Sequence, residues 1–338
     1  MLLERDTVQL VGPRAARDYK NRNTEVTPLL DSPPGLSVHG TELRKDGRAF
    51  RIQGLSFFNA IFNPAFNQDQ TSRGRWLDEF VEYGINTLRV WCQWDFTGAH
   101  KQFVDAASEC TLFAPDGGLQ GRYLDRLADL LTAAGQRGMV IELTYFTSEH
   151  AHNCREDSSL LGQWVSELTR WLKPFPNVLS QIWNERSSDI ADLFGQAKDR
   201  DPRRLVTSSP GYPGDLGDDE QNCMLDVLTP HTTRKGDFWL EAPRQLEELQ
   251  ARFAKPVIDD EPARTGIQQF GGRPDSTPQQ HILHIRDVRE RTFHHIYHHD
   301  MFQCGYGHSA TPPSGIPDPG FSDFHRPVFE FLRAMSKT

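Results

Sequence analysis

The chain has 338 residues, of which 37% are hydrophobic, 10% aromatic and 25% charged. That is enough apolar material for a sizeable core, and it excludes a disordered or fibrous chain. The formal charge of −9 gives no basis for general attraction to nucleic acid or to an anionic membrane, so a neutral partner fits better than a polyanion.

The five cysteines (Cys92, Cys110, Cys154, Cys223 and Cys304) are odd in number, widely spread and free of any CxxC pair. This argues against a disulfide framework and against a cysteine-based zinc site. The first residues, MLLERDTVQLVGPRAARD, interrupt with charge any apolar run that a signal peptide would need, and no later run reaches ~18 apolar residues. A cytoplasmic location is the default expectation, with no membrane association.

Residues 1–35 are polar, rich in Arg, Asn and Pro, and end in Pro33-Pro34-Gly35. They are expected to form an irregular extension ahead of a single domain over 36–338. From Leu36 to Ile52 the pattern alternates around Lys45-Asp46-Gly47-Arg48. A central Asp-Gly supplies the positive φ angles of a tight hairpin, which is expected to cap one end of the domain.

Beyond it a short apolar, β-branched run, a polar loop and a stretch of helical period recur. The expected strands are Arg51 to Phe57, Asn86 to Trp91, Met139 to Tyr145, Val178 to Trp183, Leu205 to Ser208, Asp226 to Thr229, Pro256 to Asp259 and Met301 to Tyr306. Helices are expected over Gly74 to Tyr83, Gly121 to Arg137, Ser158 to Leu172, Ile190 to Arg200, Glu241 to Phe253 and Pro278 to His295. No GxGxxG or GxxxxGK[ST] follows any strand, which weakens an open nucleotide-binding sheet. The pattern predicts a (β/α)8 TIM barrel with an N-terminal extension and a capping hairpin.

In such barrels the chemistry stands at the carboxyl ends of the strands. Strand four ends Gln181-Ile182-Trp183-Asn184-Glu185, and strand seven ends Pro256-Val257-Ile258-Asp259-Asp260-Glu261. Two carboxylates on one rim suit glycoside cleavage, where one protonates the leaving oxygen and the other meets the charge developing at the anomeric carbon. A gap of ~5 Å gives retention and ~6.5 Å or more gives inversion; both outcomes are open at this level.

On these residues the chain resembles glycoside hydrolase clan A, nearest its cellulase-like family 5 members, over roughly residues 36 to 310. The resemblance rests on Asn184-Glu185 at strand four, on the Lys255 to Glu261 strand, on Gly54 to Asn59 as a first strand, and on Leu88-Arg89-Val90-Trp91. It implies Glu185 as acid/base, Glu261 as nucleophile, Asn184 as donor to the sugar 2-hydroxyl, Arg89 beside the nucleophile, and His231 against it. It implies a carbohydrate substrate and no cofactor or metal.

The likeness departs at strand eight. Family members commonly place a Trp there, whereas this chain reads Gln303-Cys304-Gly305-Tyr306-Gly307-His308, leaving Tyr306 and His308 as the residues available.

Trp94 and Trp239, expected in loops, are candidate sugar platforms, and Trp183 is expected to pack under Glu185. His150, His152 and Asn153 are expected in the substrate cleft. Glu142 stands within strand three without an assigned role, and Asp259 and Asp260 are rivals of Glu261, with helix capping or an Arg264 ion pair as the plainer alternative. The His294-His295…His298-His299 cluster is expected on the flank of the last helix. Two other functions stay open: a non-catalytic carbohydrate-binding barrel, favoured by the missing Trp, and a metal-dependent hydrolase using the paired histidines.

Overall fold

The computed structural model describes residues 35–95, 109–147, 158–186, 189–265, 272–298 and 323–337. Chain packing separates Met1–Pro33 from Pro34–Thr338, and the elements below belong to the second unit.

A small antiparallel sheet comes first, built from β1 (Leu36–His39), β2 (Glu42–Lys45) and β3 (Arg48–Ala49). Lys45 pairs with Arg48 across a two-residue turn in which Asp46 and Gly47 have φ of 52° and 76°. This is the left-handed pair that an Asp-Gly hairpin is expected to adopt. Leu43, fully buried, leaves this sheet to pack with Ile52, Leu179, Leu205, Val227, Ile258 and Ile296. These residues belong to the amino-terminal ends of the parallel strands, so the hairpin plugs that end of the barrel. Burying Leu43 there contributes about 2 kcal/mol.

The large sheet is parallel and seven-stranded in the order β8-β7-β6-β5-β4-β10-β9. Its strands are β4 (Gln53–Ser56), β5 (Thr87–Trp91), β6 (Val140–Phe146), β7 (Val178–Trp183), β8 (Val206–Thr207), β9 (Ile258–Asp259) and β10 (His294–Tyr297). The gap between β8 and β9 is filled by residues 226–229. Asp226 N–H donates to Val206 O on one side, and on the other Leu228 N–H donates to Pro256 O while Ile258 N–H donates to Leu228 O. This segment is the sixth stave of the expected (β/α)8 barrel, and with it the ring closes. Gly54 on β4 lies so close to β10 that a Cβ would meet Ile296 Cγ1 at 2.7 Å, which requires glycine.

Around the barrel lie α1 (Gln70–Glu82), α2 (Gly121–Gln136), α3 (Ser158–Leu172), α4 (Ile190–Arg200), α5 (Asp219–Met224), α6 (Phe238–Phe253), α7 (Pro278–Glu290) and α8 (His325–Met335). Their apolar stripes and the outward-facing strand residues form the main core; Leu127, Leu130 and Leu131 of α2 are buried in it. Helix α1 begins four residues before the expected Gly74, because Asp69 caps it by accepting from Ser72 N–H at 2.7 Å. The start of α7 at Pro278 is fixed by a full capping box between Thr277 and Gln280.

One strand differs from expectation. The eighth stave is His294–Tyr297, not Met301 to Tyr306, and α7 ends at Glu290 rather than His295. Of the histidines expected on that helix's flank, His294 and His295 therefore lie in the barrel wall and His298 just past it, while His299 lies outside the described residues. Residues 301–306 lie outside the described residues. No helix among the described residues is long and apolar enough to cross a membrane.

Candidate active site

Alternation along the strands sends Arg89, Glu142, Gln181 and Asp260 into the barrel above its apolar plug. All four are fully buried. Gln181 is the hub of this layer. Its Oε1 accepts from Arg89 Nη2 at 2.8 Å and Thr144 Oγ1 at 2.6 Å, and its Nε2 donates to Asp260 Oδ2 at 2.7 Å, Ser209 Oγ at 2.8 Å and Glu142 Oε1 at 3.1 Å. A buried polar network this densely connected holds its members in one arrangement.

Arg89 links the layer to the rim. Its guanidinium donates to Glu261 Oε2 at 2.6 Å and to Asn184 Oδ1 at 2.7 Å, and it lies 3.2 Å from Asp260 Oδ2. Holding Asn184 by its oxygen leaves the amide N–H donors for a ligand.

Glu261 receives a second guanidinium. Arg234 Nη2 donates to Glu261 Oε1 at 2.9 Å and to the Glu261 carbonyl at 3.0 Å. Burial would push the Glu261 carboxyl up, but His231, Arg89 and Arg234 outweigh it and hold the group well below the usual carboxylate range. Glu142 goes the other way. Burial, reinforced by the charge of Asp260, raises it well above that range, so it keeps its proton.

Glu185 faces Glu261 from the exit of β7. Its backbone is left-handed, with φ 58°, a conformation that costs a non-glycine residue roughly 1 kcal/mol. Its side chain is about a quarter exposed, whereas the Glu261 side chain is 7% exposed. His231, fully buried, stands between them with Nδ1 3.5 Å from Glu185 Oε1 and Nε2 3.6 Å from Glu261 Oε2. Burial disfavours the charged ring, but Glu261 and Glu185 prevail and raise its pKa. A carboxylate oxygen from each glutamate and one ring nitrogen of His231 all lie within 4.8 Å of one another.

The structure thus gathers Glu185, Glu261, Asn184, Arg89 and His231 at one rim. Trp94 is not a platform, being 2% exposed and packed at 5.9 Å from Trp91. Trp239 is not in a loop; it sits on the first turn of α6, half-buried and edge-on to Phe238. Trp183 is fully buried, with Arg186 over its ring at 4.7 Å. His150, His152, Asn153, Tyr306 and His308 lie outside the described residues.

Asp259 and Asp260 are neither caps nor partners of Arg264: Asp260 belongs to the Arg89 layer, and Asp259 pairs with His284 at 2.8 Å on the other face of β9. Arg234 and Gln181 carry no sequence signal of their own. His298 could have been found had the eighth strand been placed correctly, because it is the first residue past β10. It is 3% exposed, it packs on Phe58, and burial drives its pKa well below the usual histidine value despite the opposing charge of Glu261.

Two trios could gather a metal by proximity: Glu185, His231 and Glu261, and separately Asp259, His284 and His295. In the first, two arginines already neutralise Glu261, which leaves little for a cation to gain.

No family model and no curated protein sequence matches the chain. Solved structures do. A glycoside hydrolase family 5 structure from Bacteroides vulgatus superposes with a TM-score of 0.63 at 18% identity, over 85% of this chain and 69% of that one. The fold is the one found in family 5. An endo-1,4-β-mannanase from Rhizomucor miehei matches over 90% of this chain and 100% of its own, with a TM-score of 0.59 and 14% identity. A candidate glycoside hydrolase, also from Bacteroides vulgatus, gives a TM-score of 0.65 at 16% identity; this chain covers 61% of its length.

Proposed function

We propose that the chain is a retaining glycoside hydrolase acting on a β-linked glycoside by double displacement. The observation that carries this reading is the close opposition of Glu185 and Glu261, with oxygens within 4.8 Å across His231, in a barrel of the family 5 fold. Retaining enzymes hold their two carboxyl groups about 5–5.5 Å apart, whereas inverting ones leave about 6.5–9.5 Å for a water.

Glu261, kept ionised by Arg89, Arg234 and His231, is the nucleophile. Its oxygen bonds to the anomeric carbon as the glycosidic C–O bond breaks and Glu185 gives its proton to the departing oxygen. Glu185 then takes a proton from water, whose oxygen displaces Glu261 from the sugar. Net retention follows from two inversions. Asn184, oriented by Arg89, donates to the sugar 2-hydroxyl.

The names of the mannanase neighbours make β-1,4-linked manno-oligosaccharides the first substrates to assay, beside aryl β-glucosides, β-mannosides and β-galactosides. Following the anomeric product by NMR tests the reading. Initial release of the β-anomer supports it, and initial release of the α-anomer refutes retention. Binding without hydrolysis across the panel would favour a carbohydrate-binding barrel instead.

A further inference from the structure

Asp259 is two residues from Glu261 but faces the opposite way. Ile258 packs in the barrel plug and Asp260 joins the Arg89 layer, so Asp259 between them points outward into the layer between sheet and helices. That layer is ordinarily apolar, yet a carboxylate is fully buried in it. Its register partner on β10 is His295, so the two side chains leave adjacent strands side by side. His284 of α7 meets them from the helix layer, its Nε2 2.8 Å from Asp259 Oδ2. A donor atom from each of the three lies within 4.8 Å of the other two.

The hydrogen bonding of this trio is incomplete at one point. Asp259 Oδ1 accepts from Thr232 Oγ1 at 3.0 Å. Asp259 Oδ2, His284 Nε2 and His295 Nδ1 are shut off from solvent and make no aligned hydrogen bond. Asp259 Oδ2 and His284 Nε2 have each other as an ion pair, and His295 Nδ1 has no partner among the described residues. A buried polar atom left without an aligned hydrogen bond is costly, and one shared partner would serve all three.

We propose that Asp259, His284 and His295 bind a zinc ion that fastens β9, β10 and α7 to one another. Two imidazoles and a carboxylate are a nitrogen-rich donor set of the kind zinc takes, whereas calcium and magnesium favour oxygen alone. Ligand atoms around tetrahedral zinc stand about 3.3 Å apart, which small side-chain rotations reach from the present spacing. The Thr232 hydroxyl on the second carboxylate oxygen is the outer support that such a ligand needs. With a water as the fourth donor, the ion's role is structural: it anchors the strand that ends in Glu261 from the face away from the barrel interior.

The test uses the full chain, purified without added metal, then stripped with a chelator and titrated with zinc chloride. Wild type is expected to retain about one zinc per chain by elemental analysis, and zinc is expected to raise the melting temperature of the stripped protein by several degrees. A Glu185→Gln/Glu261→Gln variant, lacking the other trio, is expected to behave identically. His284→Ala and the milder Asp259→Asn are expected to lose both responses, and cobalt in place of zinc is expected to give visible absorption bands that His295→Ala abolishes. Absence of bound zinc and of any thermal response in wild type overturns the site and leaves an Asp259–His284 ion pair. Zinc that is lost with Glu185 and Glu261 overturns it equally. These two results are read on wild type and on the active-site variant, so they hold even if a ligand variant fails to fold.

Discussion

The exits of β7 and β9 deliver the same side chain into opposite surroundings. Glu261 is buried between two guanidiniums and an imidazole, while Glu185 is a quarter exposed on a left-handed backbone, with the His231 ring 3.5 Å from its carboxylate. A carboxylate meant to remain an anion needs fixed positive charge, and one meant to exchange protons must be left free to do so. The contrast supports the two chemical roles proposed for them without reference to any substrate.

The sharpest way to break that contrast is to remove each carboxylate. Glu261→Gln is expected to lower kcat roughly 10³–10⁵-fold on every substrate. Glu185→Ala is expected to cost about 10²–10⁴-fold on poor leaving groups and much less on activated aryl glycosides, with azide restoring rate to this variant as a β-glycosyl azide. Equal losses on both substrate classes would collapse the distinction.

A smaller effect is expected from Arg234→Ala, which leaves Arg89 in place. Turnover should fall roughly 10–100-fold. The acid limb of kcat/KM should also move to higher pH, because a Glu261 with one guanidinium fewer takes up a proton more readily. An unmoved limb would mean that Arg234 acts only through packing.

The smallest effects concern stability, where the barrel holds two carboxyls of opposite sign. Glu261 has a lowered folded pKa, so its contribution is present above about pH 4.5 and is lost as pH falls through the folded value. Glu142 has a raised folded pKa, so native Glu142 keeps a proton that the unfolded chain releases, and stability declines as pH rises above about 4.5 towards the folded value. Glu142→Gln mimics the protonated acid. Its melting temperature is expected to match wild type near pH 4 and to exceed it near pH 9, measured by calorimetry.

Much of this site was legible in the sequence because strand exits concentrate chemistry in a barrel. The strand exits mark Glu185 and Glu261, whereas Asn184, Arg89 and His231 are expected at the site only through the resemblance to clan A. Arg234 is expected from neither, because a loop arginine reaches Glu261 only through tertiary folding and no local spacing marks it. The eighth strand was missed for two physical reasons. Helix α7 ends without a glycine, Thr292 taking the left-handed conformation at φ 70° despite its branched side chain. The strand that follows carries His294 and His295 where an apolar run would be expected, and His294 meets a backbone need instead, its Nδ1 accepting from Ile52 N–H at 3.1 Å.

The sixth stave has a dynamic consequence. Its lateral bonds are few, and side chains stand in for part of the ladder: Asp226 Oδ2 accepts from Val206 N–H, and Thr207 Oγ1 donates to Val227 O. A seam held this way should open at lower free energy than the long β5–β6–β7 ladders, exchanging its amide hydrogens first. The same stave leads into His231 and Arg234, so one local opening would withdraw two of the positive partners of Glu261 together. Loss of activity on gentle heating should therefore precede global unfolding.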